Sequence, residues 1–255
     1  MSASPQLAST PIEAQRRARI DLAACHRLAA HFGYNEGIDN HMTMLVPGYA
    51  DRFYLAPFGL LWSEVRASDL NEVGFDGRLL GGHGLIEDTA LCIHASTHRL
   101  AAHARCVLHT HMPYATALGM TDGCLETASQ SAIGFHDEIV YLDYNGLALD
   151  FAEGERMARA LGTKSVLMLR NHGVLVTGES AAQAFDRLYF LERACQVQAL
   201  ALSTGRRLAV LPEPVVRATL AQFAGCGNVA GQDRSQLHFE ALKRLLDRQQ
   251  ADYAS

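Results

Sequence analysis

Apolar and polar positions in the first third of the chain predict a helix followed by short antiparallel strands. Over residues 11–32 apolar side chains recur every three or four positions, and Gly33 is placed to end the helix. Residues 41–46 and 53–56 alternate between apolar and polar as strands do. Residues 70–80 carry an Asp-Gly pair between apolar residues, which predicts a hairpin.

The rest of the chain alternates helical periodicity with short apolar runs. These patterns predict strands from Cys106 onward and over residues 138–142 and 165–176, and helices over residues 87–103, 114–120, 151–161, 179–204, 216–223 and 235–249. No Pro/Ser-rich linker divides the chain. We therefore expect one layered α/β domain over residues 11–255, with a C-terminal helical extension and a disordered tail at residues 1–10.

Composition narrows the classes of function. Of the 255 residues, 49% are hydrophobic and 19% are charged, which suffices for a full core. A net charge of -5 without a basic block argues against nucleic acid as the main partner. No apolar run is long enough to span a membrane, and the N-terminus does not resemble a secretory signal. Six cysteines without C-x-x-C spacing predict reduced thiols and a cytoplasmic location.

Two histidines follow the apolar run that begins at Cys106. Side chains alternate along a strand, so His109 and His111 are predicted to point to the same side, about 7 Å apart along the chain. Two imidazoles in this arrangement can converge on one divalent metal. Alone, the His-x-His pattern is equally typical of two surface or hydrogen-bonded histidines.

A second stretch supports the metal site. Residues 165–176 form an apolar strand that Asn171-His172-Gly173 interrupts, and Gly173 permits a turn that other residues resist. That turn would hold His172 at a strand end, and three histidines from two strands form the ligand set of a zinc-type site with an open position. His94 and His98 are also one helical turn apart, but helix packing explains them better than metal binding.

Several motifs together resemble the class II aldolase/adducin family over roughly residues 12–225. The motifs are Asp39-Asn-His-Met-Thr43, Pro57-Phe-Gly-Leu60, Ile93-His-Ala-Ser-Thr-His98, Val107-Leu-His-Thr-His111, Tyr144-Asn-Gly-Leu-Ala-Leu-Asp150, Leu169-Arg-Asn-His-Gly173 and Tyr189-Phe-Leu-Glu-Arg-Ala194. The resemblance implies a three-layer αβα sandwich with a central, mainly antiparallel sheet. It also implies a homotetramer with active sites at subunit interfaces, and one divalent metal per subunit on His109, His111 and His172. Zinc is the first expectation, with manganese, iron and cobalt as alternatives.

The chain departs from the sugar-phosphate aldolases that it resembles. Their acid/base carboxylate falls at Ala90, so Glu87, one turn earlier, is the candidate replacement. Leu85 and Ile86 stand near the position of a serine pair that contacts phosphate in those enzymes. A phosphate site needs several N–H and hydroxyl donors, so we expect an unphosphorylated substrate that carries a carboxylate.

The resemblance implies further site residues. An aromatic acid/base from a neighbouring subunit falls at His136, with Tyr141 as a second candidate. Asn171 is expected to orient the turn behind His172. The expected substrate-binding residues are Asn40, His41, Thr43 and Gly59.

These features predict a metal-dependent carbon–carbon lyase, either an aldolase or a decarboxylase, that acts on a small hydroxy- or oxo-acid. Both reactions pass through an enolate that the metal stabilises. A metal-dependent epimerase or isomerase and a three-histidine iron oxygenase are the alternatives. A non-catalytic, adducin-like interaction module fits less well, because adducin domains lack the intact histidine set and belong to longer chains with basic tails.

Overall fold

A computed structural model describes residues 10–229 and 231–255. The predicted tail lies outside these residues, except for Thr10. That residue instead caps the first helix: its side chain accepts a hydrogen bond from the N–H of Glu13, and the Glu13 carboxylate accepts one from the N–H of Thr10. This reciprocal capping box and Pro11 in the first turn explain why the helix begins here. Gly33, in the left-handed conformation at φ 72°, ends it as predicted.

The described residues form eight α-helices, two short 3-10 helices and ten β-strands. The α-helices are α1 (Pro11–Phe32), α2 (Asp88–Leu100), α3 (Pro113–Gly119), α4 (Gln130–Ile133), α5 (Phe151–Leu161), α6 (Ala181–Leu202), α7 (Glu213–Cys226) and α8 (Arg234–Gln249). The strands are β1 (His41–Leu45), β2 (Arg52–Leu55), β3 (Asn71–Gly74), β4 (Leu79–Gly81), β5 (Cys106–Thr110), β6 (Ile139–Leu142), β7 (Val166–Leu169), β8 (Gly173–Gly178), β9 (Asn228–Val229) and β10 (Gln232–Asp233). The predicted elements are confirmed within a few residues, except that α4, the 3-10 helices and the β9–β10 pair were not predicted.

Eight strands form one sheet in the order β4-β3-β2-β1-β5-β8-β7-β6. Every neighbouring pair is antiparallel except β6 and β7, which are parallel. The predicted hairpin over residues 70–80 is the β3–β4 pair. The sheet is therefore mainly antiparallel, as expected, and β5 lies at its centre between β1 and β8.

Helices cover both faces of the sheet, which confirms the three-layer sandwich. On one face, α1, α3 and α6 pack against apolar strand residues such as Met42 and Leu108, and α8 packs on α1 and α6. On the other face, α2 and α5 cover residues such as Val107 and Leu175. Because side chains alternate along a strand, His41 and Thr43 face α2, opposite to Met42.

The length and hydropathy of the helices were compared with what a membrane span requires. Within residues 10–229 and 231–255, none of them is both long enough and apolar enough to cross a bilayer.

Helices α2 and α5 touch through Gly154, and this contact gives a stability prediction. A Cβ at Gly154 would lie 2.1 Å from the carbonyl oxygen of Cys92 on α2. Gly154→Ala should therefore lower the free energy of unfolding by about 1–3 kcal/mol, although alanine favours helices. Urea unfolding followed by circular dichroism measures the loss.

The matched control is Gly225→Ala on α7, where an added Cβ meets no atom within 4 Å. This variant should be as stable as the wild type, or more stable by less than about 1 kcal/mol. Equal unfolding midpoints for Gly154→Ala and wild type would contradict the close packing of α2 on α5.

Candidate metal centre and cavity

Three histidine rings meet where β5 ends and β7 turns into β8. His109 lies on β5, His111 lies one residue beyond its end, and His172 lies in the β7–β8 turn. One ring nitrogen from each of the three lies within 4.8 Å of the other two. The ring centroids of His109 and His111 are 5.1 Å apart, and each lies 4.8 Å from that of His172. The structure thus brings together the three histidines predicted as a ligand set.

Strand pairing and a tight turn place His172 in this cluster. Thr110 of β5 pairs with Val174 of β8, so the β7–β8 turn lies beside the end of β5. Asn171 adopts the left-handed conformation at φ 58° and donates its N–H to the carbonyl of Gly119. Asn171 therefore shapes the turn through its backbone conformation and its N–H group. Gly173 is required for space rather than for an unusual turn, because a Cβ there would lie 2.5 Å from the carbonyl oxygen of Thr110.

Hydrogen bonds orient two of the three rings. Nδ1 of His109 donates to the carbonyl oxygen of Val174 at 2.9 Å, which leaves Nε2 without a proton in the neutral ring. Nδ1 of His111 pairs with the carboxylate of Glu36, and its Nε2 is buried without a partner among the described residues. Nδ1 of His172 is likewise buried and unpartnered in the described chain.

Burial keeps two of these imidazoles, His109 and His172, neutral. Loss of hydration, with the neighbouring His111 as a second cause, lowers the pKa of His172 to about 4. Burial lowers the pKa of His109 further below its usual range. The open Nε2 of His109 and the unpartnered nitrogens of His111 and His172 fit a divalent metal, because imidazole binds metals through an unprotonated nitrogen.

Glu36 was not singled out from the sequence. It lies in a loop segment of mixed polar residues, and only the folded chain places it against His111. A carboxylate behind a ligating histidine orients the ring and raises its basicity. The only local signal was an acidic residue in the loop just before β1.

A cavity of about 360 Å³ opens beside the three histidines. Six of the predicted site residues line it: Asn40, His41, Glu87, His109, His111 and His172. The wall is otherwise mostly apolar, with Leu55, Pro57, Phe58, Leu60 and Trp62 on one side. No lysine or arginine occurs among the described residues that line it.

Asn40 and Glu87 are held in place by backbone hydrogen bonds. Asn40, at φ 72°, accepts the N–H of His111 at its Oδ1, and its Nδ2 is buried without a partner in the described chain. Glu87 caps α2 and accepts hydrogen bonds from the N–H groups of Thr89 and Ala90. Glu87 therefore starts the helix and also lines the cavity.

His94 and His98 lie on α2 and pack against β1, in line with the packing role expected from the sequence. Nε2 of His94 lies 2.6 Å from Nδ1 of His41, and Nε2 of His98 lies 2.8 Å from the hydroxyl of Thr43. Thr43 is fully buried and also contacts His94. This corrects the expectation that Thr43 lines the substrate site: it lies behind His41, one layer deeper.

Three further predicted site residues do not line the cavity of their own chain: Gly59, Tyr141 and His136. Gly59 does not line the cavity, although its neighbours Phe58 and Leu60 do. The Tyr141 hydroxyl accepts the N–H of Leu125 at 2.7 Å. Burial raises the pKa of Tyr141 to about 12. Tyr141 is thus an internal packing residue, which argues against an acid/base role.

His136 lies on a different part of the surface, at the end of α4. Its Nε2 is 3.4 Å from a carboxylate oxygen of Glu213 and 3.6 Å from one of Asp137. It does not line the cavity of its own chain. A role at the active site would require the cavity of a neighbouring subunit.

Residues 20–199 match the model of the class II aldolase and adducin N-terminal domain. The chain belongs to the class II aldolase and adducin family. Its members include alpha-adducin of Mus musculus, 34% identical over 241 residues, a match that covers 90% of this chain but 33% of the adducin.

Solved structures of the class II aldolase and adducin family share the fold. An aldolase II superfamily protein from Pseudomonas syringae superposes with a TM-score of 0.87 and 36% identity, over 99% of this chain and 98% of the other. An L-fuculose 1-phosphate aldolase from Glaciozyma antarctica PI12 superposes with a TM-score of 0.83 over 98% of this chain and 96% of the other. At 23% identity, this second match shows the fold alone.

The contact between Glu36 and His111 gives a metal-binding prediction. Glu36→Gln keeps the side-chain shape but removes the charge that holds the His111 ring. We expect the affinity for zinc to fall about 10- to 100-fold. Competition with a chelating dye measures it.

Glu179→Gln, an exposed acid between β8 and α6, is the matched control and should bind zinc as the wild type does. His111→Ala should lose the site altogether. Wild-type zinc affinity in Glu36→Gln would show that Glu36 does not support the metal site.

Proposed function

We propose that this protein is a metal-dependent carbon–carbon lyase, an aldolase or decarboxylase, that acts on a small, unphosphorylated hydroxy- or oxo-acid. The observation that carries the proposal is the cluster of three histidines whose ring nitrogens lie within 4.8 Å of one another at the edge of a cavity. Membership of the class II aldolase and adducin family supports the reaction class.

His109, His111 and His172 would hold one divalent metal, for which zinc is our first choice. A bound metal would polarise a substrate oxygen and stabilise the negative charge that develops there as the adjacent carbon–carbon bond breaks. Manganese, iron and cobalt remain alternatives, because three imidazoles accept all of them. Glu36 would keep the His111 ring aimed at this position.

The lining of the cavity supports an unphosphorylated substrate. A phosphate dianion would meet the carboxylates of Asp39 and Glu87, and no lysine or arginine among the described residues that line the cavity. A single carboxylate carries less charge and could bind beside the metal. The unpartnered Nδ2 of Asn40 supplies one hydrogen-bond donor for such an oxygen.

Glu87 is our candidate for proton transfer. Its carboxylate faces the cavity while three hydrogen bonds from Thr89 and Ala90 hold it in one orientation. In a retro-aldol cleavage it would take the proton of the substrate hydroxyl and return it to the carbanion. In a decarboxylation it would pass a proton from solvent to the carbanion. His136 of a neighbouring subunit is a second candidate.

Activity assays with paired variants test the role of Glu87. Zinc-loaded protein is incubated with a panel of small hydroxy- and oxo-acids, and release of aldehyde or carbon dioxide is measured. Glu87→Gln should lower kcat about 10²- to 10⁴-fold with little change in zinc content.

Asp88→Asn is the control, because Asp88 is the adjacent acid and points to solvent. It should retain activity. Full activity in Glu87→Gln would exclude Glu87 as the proton-transfer group, and absence of cleavage or decarboxylation across the whole panel would overturn the proposed reaction class.

The second candidate function is a non-catalytic interaction module, which the similarity to alpha-adducin supports. The metal content of the purified protein distinguishes the lyase, the oxygenase and the interaction module. About one zinc per chain after purification, lost in His109→Ala/His111→Ala, supports the lyase, whereas iron with oxygen uptake would favour the oxygenase. A folded protein that cannot take up metal would favour the interaction module.

We also propose a homotetramer with active sites at subunit interfaces. Large apolar side chains are exposed around the cavity mouth, among them Leu147 and Leu149, which are 66% and 65% exposed. Such side chains mark protein contacts. Light scattering should give about four times the mass of one chain, and Leu147→Glu/Leu149→Glu should dissociate it. A monomeric wild type would contradict the proposal.

A cytoplasmic location is the remaining part of the proposal. All six cysteines are free thiols, and four of them are buried. Unpaired buried thiols are typical of proteins in a reducing compartment.

A further inference from the structure

Two buried imidazoles outside the three-histidine cluster also reach the cavity. His26 comes from α1 and His41 from β1, and both line the cavity wall. Both are buried, and neither belongs to the cluster of candidate metal ligands. Their hydrogen bonds determine which ring nitrogen carries the proton. The proton position in turn decides whether the nitrogen that faces the cavity is a donor or an acceptor for a ligand.

A chain of hydrogen bonds begins at a backbone carbonyl and leads to His41. Nδ1 of His98 lies 2.6 Å from the carbonyl oxygen of Ala104, which can only accept, so Nδ1 carries the proton. In the neutral ring Nε2 is then bare and accepts from the Thr43 hydroxyl at 2.8 Å. The single hydroxyl proton of Thr43 is thereby used, so its oxygen must accept from Nδ1 of His94.

The same logic continues to the cavity. With its proton on Nδ1, neutral His94 has a bare Nε2, which must accept from Nδ1 of His41 at 2.6 Å. Nε2 of His41 is therefore bare. All three rings are buried, and no carboxylate of the described residues lies within hydrogen-bond distance of their nitrogens, so each ring is taken in its neutral form.

The bare nitrogen of His41 has no strong donor within the described residues. The nearest hydroxyl, that of Thr89, lies 3.4 Å away and donates to Glu87 at 2.6 Å instead. A carboxylate oxygen of Glu87 lies 3.8 Å from Nε2. Two acceptors thus lie side by side, and Nε2 of His41 is open to a donor group of a ligand in the cavity.

His26 reaches the same state by a shorter route. Its Nδ1 lies 2.8 Å from the carbonyl oxygen of Leu22, so Nδ1 donates and Nε2 is bare. That Nε2 is buried and has no partner among the described residues. An unsatisfied buried acceptor costs about 1–3 kcal/mol, which a ligand donor would offset.

We propose that this wall of the cavity binds hydroxyl groups of the substrate, which donate to Nε2 of His26 and Nε2 of His41, and that Thr43, His94 and His98 are positioning residues that keep His41 an acceptor. The ligand is thus a hydroxylated acid rather than a plain acyl chain. This assignment rests on the proposed function for the place where the substrate binds, but the proton positions do not depend on any reaction.

Nitrogen-15 NMR of histidine-labelled, metal-free protein tests the proton positions directly. Long-range nitrogen–proton spectra distinguish protonated from bare ring nitrogens, and single histidine substitutions assign the signals. We expect bare Nε2 on His26, His41, His94 and His98. His103 is an internal control with the opposite pattern, because its Nε2 lies 2.9 Å from the carbonyl oxygen of Lys164. A proton on Nε2 of His41 would overturn the proposal.

Variants at Thr43 test the positioning role. Thr43→Val removes the hydroxyl that links His98 to His94, so His41 should lose its single proton position and show a mixture of the two neutral forms. Thr43→Ser keeps the hydroxyl and should restore the wild-type spectrum. An unchanged His41 signal in Thr43→Val would show that the hydrogen bonds from His98 through Thr43 and His94 do not set the proton position of His41. If Thr43→Val does not fold, the wild-type spectrum still decides the matter.

Two probe acids test the ligand class in zinc-loaded protein. Glycerate carries hydroxyl groups and propionate does not. Saturating glycerate should move Nε2 of His26 or His41 in the direction of an accepted hydrogen bond, and propionate should leave both in place. Spectra that do not differ between the two acids would overturn the ligand assignment. A protein that shows this shift yet catalyses no cleavage would refute only the proposed function.

Discussion

The hydrogen-bond register of β5 between β1 and β8 is the constraint on which the site depends. It sets His41 opposite His109 on one side and Val174 opposite Thr110 on the other. A slip of one residue would turn His109 to the opposite face, into the layer of α1 and α6. Because β5 is fully buried and covered on both faces, such a slip would also exchange the packed side chains of the two layers, so the register is strongly determined.

Burial of the histidines is the second requirement. Burial lowers the pKa of His41 and of His109, so these two rings are neutral. Neutral rings can act as metal ligands and as hydrogen-bond acceptors. The surrounding groups then decide the orientation: a carbonyl for His109, a carboxylate for His111, and a hydroxyl and two further histidines for His41.

Expectations transferred by resemblance differ in how well they fit the structure. Asn40, His41 and Glu87 line the cavity beside the three histidines, whereas Gly59 and Thr43 lie just outside it. Thr43 illustrates the reason: it is two residues from His41 on the same face of β1, but the cavity ends before it and α2 covers it. Tyr141 was chosen for its chemistry, yet its hydroxyl serves a loop of the same chain.

The sequence by itself determined the order of helices and strands, the mainly antiparallel arrangement of the first strands and the three-histidine set. These depend on local periodicity, on turn residues and on short motifs, which can be read along the chain. Only the tertiary structure decided that Glu36 supports His111, that His26 reaches the cavity and that Gly173 is needed for space beside Thr110. Each of these contacts joins residues that are far apart in sequence. Strand register and helix packing across the whole sheet bring them together, and no local pattern encodes those distances.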